Sequence, residues 1–244
     1  NNVEEYEQWY QKMKDFEFNG WCIGGAQKRV SMFMSALAPM IKNREFEKAR
    51  NQFVHVLGIS KISDFFMLSF FQKMLNKYHG GRIQVSTDSS SPGLYPVYGT
   101  YLHSPQLSKM TFTDLYFPKG ENLPYNADDL VPNPLGHPVS EGFTFGDVSN
   151  YKGDVTMKMT LNNLFVFNET VKQVEEVVKC HNELLKTVIP RDFYSILMSM
   201  EEMFQDPDKA VYIYEKNSQL YDKFGGGTRD LVNNQIISKY FNVG

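Results

Sequence analysis

Three short apolar runs, each closed by glycine or by small polar residues, constrain how this chain folds more than any other feature. They are "WCIGG" (21–25), "FVHVLGIS" (53–60) and "IQVSTD" (83–88), and helical stretches separate them at intervals of about 30 residues. Strands alternating with helices at that period indicate βα units and a parallel sheet, so the expected class is α/β. The third run reads as a buried strand that ends on a carboxylate, Asp88. Carboxylates are seldom buried without a partner, so one at a strand tip needs a reason.

Between these runs the apolar residues follow helical spacing. Residues 3–17 are charged and aromatic, and Gly20 stops them. Residues 27–50 read as a helix broken near Pro39. In "KISDFFMLSFFQKMLNKYH", Ser63 is the expected N-cap, and the Phe and Met residues from Phe65 to Met74 form a core stripe. Residues 92–160 hold many prolines, glycines and tyrosines without a sustained period, the kind of insertion in which function sits. The last third is helical: 162–188 as one helix or two, then 191–205 and 207–224, halted by Gly225-Gly226-Gly227. The expected organisation is 1–91 as βα units, 92–160 as an irregular insertion and 161–244 as C-terminal helices.

Composition narrows the class. Hydrophobic residues make up 42% of the 244, enough for a core and too many for a disordered chain. No apolar run reaches the roughly 18 residues of a membrane span, and the N-terminus lacks a secretory pattern. The expectation is a soluble, cytoplasmic protein with no membrane contact. Two cysteines, Cys22 and Cys180, are too few for a disulfide framework. A net charge of −3 gives no global basic field for nucleic acid. The chain opens Asn-Asn without an initiator Met, which suits a fragment or a processed piece.

In parallel α/β folds, ligands sit at the carboxyl ends of strands. Here those ends are Gly24-Gly25-Ala26-Gln27, Leu57-Gly58-Ile59-Ser60 and Thr87-Asp88-Ser89-Ser90. Paired glycines let a backbone approach a flat ligand, or simply serve a tight turn. Asp88 suits a nucleophile, a general base, or an N-cap or Asx-turn residue. Lys28, Arg29, Lys42, Arg44, Lys48 and Arg50 either track a phosphate backbone or form a solvated helix face, and Glu45 and Glu47 interrupt them. His103 and His137 lie in the irregular segment, as loop histidines or as contacts to phosphate or sugar. Tyr95, Tyr98, Tyr101 and Tyr116 stack on bases or fill a small sheet.

The ordered set "GWCIGGAQ", "HVLGISKISDF" and "IQVSTDSSS" resembles the second half of the tRNA-guanine transglycosylase superfamily. It is most similar to the phage branch that places 7-deazaguanine bases in DNA. The family shows a "GYAIGG" strand, a "YLMGVGKPDD" strand and then a strand ending in the nucleophilic aspartate. The resemblance covers residues 1–91 and resumes near 160–185. It implies the C-terminal part of a (β/α)8 barrel and a pentosyltransferase that exchanges a purine at a nucleoside C1′. By it, Asp88 is the catalytic nucleophile. Gly24, Gly25, Ala26 and Gln27 line the edge of the base, Leu57 and Gly58 form a wall beside the ring, and His55 lies close by. The implied partners are DNA, favoured over tRNA, and a 7-deazaguanine base, with no cofactor.

The tRNA-acting members carry a zinc site of three cysteines and a histidine. Only Cys180-His181 is present here, read as helix neighbours with no metal. The family's first half, with its "DSGGF"-type acid/base aspartate, is expected from another chain or from a longer polypeptide. The alternatives are a tRNA-guanine transglycosylase, a non-catalytic accessory subunit of one, and a non-enzymatic structural or interaction protein.

Overall fold

The computed structural model describes residues 3–24, 30–117, 125–149 and 153–224. It is mixed α/β, with more helix than strand. The chain divides into two compact units, one of residues 1–56, 74–86 and 191–244 and one of 57–73 and 87–190.

In the first unit, α1 (Val3–Met13) opens with Glu4 and Glu5 and closes with Lys12, charges that suit the two poles of a helix dipole. It leads to β1 (Gly20–Ile23), then to α2 (Val30–Lys42) and β2 (Phe53–Val56). Nearly every residue of α2 is buried, so it is apolar all round, and it packs on α1, on α8 (Arg191–Gln205) and on α9 (Ala210–Lys223). The expected break at Pro39 does not occur: Pro39 lies inside α2. Its ring removes one backbone donor, yet burial on several sides holds the helix, and Asn43 N–H still reaches the Pro39 carbonyl at 3.0 Å. The chain turns at Arg44, where φ is 53°.

β1 and β2 pair in parallel from Gly20↔Phe53 to Ile23↔Val56. β3 (Gln84–Thr87) is the outer strand beyond β2. Gln84 N–H donates to Gln52 O at 2.9 Å and His55 meets Ser86, so β3 advances in the same direction as β2. Trp21, Ile23, Val54 and Val56 are buried on one side of the sheet, whereas Cys22, Phe53, Gln84 and Ser86 are exposed. The expectation of a buried third strand is therefore corrected. As the outer strand of a half-covered sheet, β3 keeps most of its side chains in solvent. Elsewhere in this unit, Phe204 stacks on Phe46 and Tyr78 at 6.2 and 5.7 Å, and Ser199 bonds Tyr221 at 2.8 Å.

α3 (Ile62–His79) contributes its first part to the second unit and its end to the first. Ser63 is not its N-cap but lies one residue inside the helix, and Asp64 takes the capping role. The Asp64 carboxylate accepts the Lys61 N–H at 3.3 Å, the return arm of a capping box.

In the second unit, α4 (Ser91–Val97) precedes an antiparallel hairpin, β4 (Thr100–Gln106) and β5 (Thr111–Tyr116), with an irregularity between Leu102 and Ser104. α5 (Phe145–Ser149) follows, then α6 (Gly153–Lys179) and α7 (Asn182–Val188). α6 starts nine residues before the expected 162, and the stretch resolves into two helices that part at Cys180-His181. Lys73 Nζ donates to the Val178 and Cys180 carbonyls at 2.8 and 3.1 Å, closing the end of α6. Phe167 of α6 meets Phe65, Phe112 and Tyr95 at 5.6, 5.0 and 6.1 Å. A second cluster gathers Tyr101, Phe117, Val131, Phe145, Val148 and Met159. The expected stop at 225–227 lies outside the described residues.

Candidate functional site

Two strand-tip residues of the second unit come together. The Gly58 N–H donates to Asp88 Oδ1 at 2.6 Å, and the Ile59 N–H donates to the Asp88 carbonyl at 3.0 Å. Gly58 has φ 72°, a left-handed backbone that glycine adopts freely, and this turn aims its N–H at the carboxylate. Asp88 is exposed, and among the described residues Oδ2 takes no hydrogen bond. One oxygen is thus held by the backbone while the other is open. A carboxylate fixed in this way can attack an electrophilic carbon or accept a proton, and it also ties the loop after β2 to the end of β3.

In the first unit, His55 Nδ1 lies 2.9 Å from Ser86 Oγ. Ser86 was absent from the expected site, although period-2 alternation puts it on the same sheet face as His55 and Cys22. Gly24 follows β1 and is exposed. Leu57, the expected apolar wall, is 43% exposed. Gly25, Ala26 and Gln27 lie outside the described residues.

The other candidate residues are occupied locally. Arg44 pairs with Glu47 and Asp208 at 3.1 and 3.3 Å, and Lys48 and Arg50 both bond Glu45. Lys42 is exposed, and Lys28 and Arg29 lie outside the described residues. His103 Nδ1 meets Ser104 Oγ at 3.3 Å, and burial pushes the imidazole below its ordinary pKa against the pull of Asp114. His137 rests on Phe165 with ring centres 4.3 Å apart, and burial lowers its pKa as well. Cys180 donates its thiol to the Glu176 carbonyl at 3.2 Å. Tyr101 is buried in the second unit and Tyr95, half-buried, packs on Phe167, whereas Tyr98 and Tyr116 are exposed. Compared with known protein families, curated proteins and solved structures, the chain matches none.

Proposed function

We propose that this chain is the nucleophile-bearing part of a base-exchange transglycosylase that replaces guanine in DNA with a 7-deazaguanine. The observation that carries the reading is the Asp88 carboxylate at the end of β3, held through Oδ1 by Gly58 and open at Oδ2. The order of the three strand-end motifs supports it. In this reading the β1–β2–β3 sheet belongs to a (β/α)8 barrel. Asp88 Oδ2 attacks the nucleoside C1′, the C1′–N9 bond breaks, and guanine leaves with that electron pair and takes a proton. The 7-deazaguanine then attacks C1′ through its own ring nitrogen, loses a proton and releases the carboxylate. A carboxylate suits both halves because it is anionic at neutral pH and leaves readily from the glycosyl ester. The target nucleotide would be flipped from its stack. The acid/base aspartate is assigned to the barrel's first half, on another chain or a longer polypeptide.

The test is a covalent trap resolved on a denaturing gel. Protein isolated from its native cells, so that any partner carrying the first half is present, is incubated with labelled DNA or tRNA and a 7-deazaguanine analogue. A shifted band on DNA that Asp88→Ala abolishes is the expected result. A band on tRNA alone would move the substrate to tRNA. No band with either polymer, or a band indifferent to Asp88→Ala, would overturn the assignment and favour an accessory or non-enzymatic role.

A further inference from the structure

The solvent side of α6 carries apolar side chains where polar ones are the rule. The other sides of the helix pack on α4, on β4 and on the Pro138–Ser140 turn. Facing outward are Met157, Leu161 and Leu164, which are 60%, 41% and 46% exposed. Their i, i+4, i+7 spacing sets them in one stripe along the helix. Half-buried Phe165 borders the stripe, under the ring of His137. Ser140 of the same turn bonds Asn162 at 2.6 Å, and Val139 between them adds another exposed side chain. Single exposed apolar residues are ordinary, but a contiguous row of them marks a surface that something covers.

The charges flanking the stripe identify the occupant. Asp154 and Lys158 lie toward the start of α6, and Glu169 and Lys172 lie beyond the apolar residues. Along the helix the order is minus, plus, apolar, minus, plus. Asp154 and Lys172 are about five turns apart, and Lys158 and Glu169 about three, so each pair shares one side of the helix. A second α6 laid antiparallel, with the two-fold axis level with Asn163, sets Asp154 against Lys172 of that copy and Lys158 beside its Glu169. Leu161 then meets Leu164 and Phe165 of the second copy. Like flanks of the two helices come together, as an isologous contact requires. A parallel pairing would instead stack each charge on itself. Lys172 already donates to Glu169 at 2.6 Å, and the Lys158 ammonium lies 5.3 Å from the centre of the Phe143 ring. Each ammonium has three donors and so can also serve a second carboxylate.

We propose that α6 pairs antiparallel with α6 of a second copy of this chain, through Met157, Leu161 and Leu164, with the four charges fixing the register. Rim charges of this kind govern orientation and partner choice more than affinity. The stripe from Asp154 to Lys172 is about 27 Å long and one helix wide, which puts the buried area at the low end for specific interfaces and makes the dimer a weak one.

The pairing leaves Asp88 untouched. It is tested on the full chain by sedimentation velocity from about 1 to 100 μM, the range in which an interface of this size associates. The wild type is expected to pass from monomer to dimer across that range. Leu161→Glu, at an exposed helix position, should stay monomeric throughout with an unaltered circular dichroism spectrum. Lys158→Glu and Glu169→Lys each bring like charges together at both symmetric contacts, and each should weaken the dimer about fivefold. The double variant Lys158→Glu/Glu169→Lys reverses both charges and should restore the wild-type dissociation constant. If Leu161→Glu disturbs the spectrum, the restoration by that double variant decides the matter. A chain that stays monomeric at the top of the range would overturn the pairing and give the stripe to another occupant. So would a dimer indifferent to Leu161→Glu, or one that the double variant leaves weakened.

Discussion

At the scale of single residues, Glu45 shows how much polar chemistry the fold commits away from the candidate sites. Its side chain is fully buried and accepts hydrogen bonds from Tyr10, Trp21, Lys48, Arg50 and Asn51. Burial pushes its pKa up, but the bonds from Asn51, Lys48, Tyr10 and Trp21 outweigh that and hold it below the ordinary value. A carboxyl whose folded pKa is lowered adds stability above its unfolded pKa of about 4.3 and loses it as pH falls through the folded value. Urea midpoints measured from neutral pH down to about pH 3 should therefore drop in the wild type and drop less in Glu45→Gln. Glu45→Ala, which leaves Lys48 and Arg50 without their buried partner, should cost about 3 kcal/mol near neutral pH. An acid limb identical in wild type and Glu45→Gln would refute the assignment. None of this was legible beforehand, since Glu45 read as one charge interrupting a basic helix. Asp88 was legible as a strand-tip carboxylate and Gly58, thirty residues away, as part of the same set of strand ends; that the Gly58 N–H donates to the carboxylate was not.

At the scale of elements, α6 is amphipathic in sequence, yet two asparagines lie on its buried side. Asn163 Oδ1 accepts the Leu102 N–H at 2.8 Å and its Nδ2 donates to the Thr100 carbonyl at 3.0 Å. Asn162 accepts from Tyr101 and Ser140 and donates to the Leu102 carbonyl. They satisfy β4 backbone groups that β5 does not reach, which fixes the hairpin to the helix. Asn163→Leu strands one donor and one acceptor and should cost about 2–4 kcal/mol. Hydrogen exchange should rise at the Leu102 amide above all, and unchanged protection there would show that Asn163 does not hold the strand. Element type was readable because periodicity is local, and α1, α8 and α9 lie close to where spacing placed them. The errors at Pro39 and Ser63 arose where packing or a neighbouring carboxylate overrode a local preference. Gly20 is a third such place: a Cβ there would come within 2.5 Å of the Phe53 carbonyl, so the close approach of β1 to β2 requires glycine.

At the scale of the whole molecule, the two compact units interleave along the chain, which passes from one to the other at 56–57, 73–74, 86–87 and 190–191. Cutting after residue 86 therefore divides the second unit. A fragment of residues 87–190 loses Phe65, which packs edge-on to Phe167 at 5.6 Å. That fragment is expected to show poor amide dispersion by NMR, improving when a peptide of residues 57–73 is added. A well-dispersed spectrum for 87–190 alone would show that α3 is dispensable to the unit. The sequence by itself determined the α/β class, the order of most elements, their apolar stripes and the three strand ends, because propensity and hydrophobic period act over a few residues. Only the tertiary structure decided which side of the sheet stays open, what Asp88 and His55 touch, and why Asn162, Asn163 and Glu45 are buried. Those pairings join groups 31 and 61 residues apart, as in His55 with Ser86 and Leu102 with Asn163, a separation that no local period reads; where the groups are buried, as at Asn163 and Glu45, burial makes each find its partner.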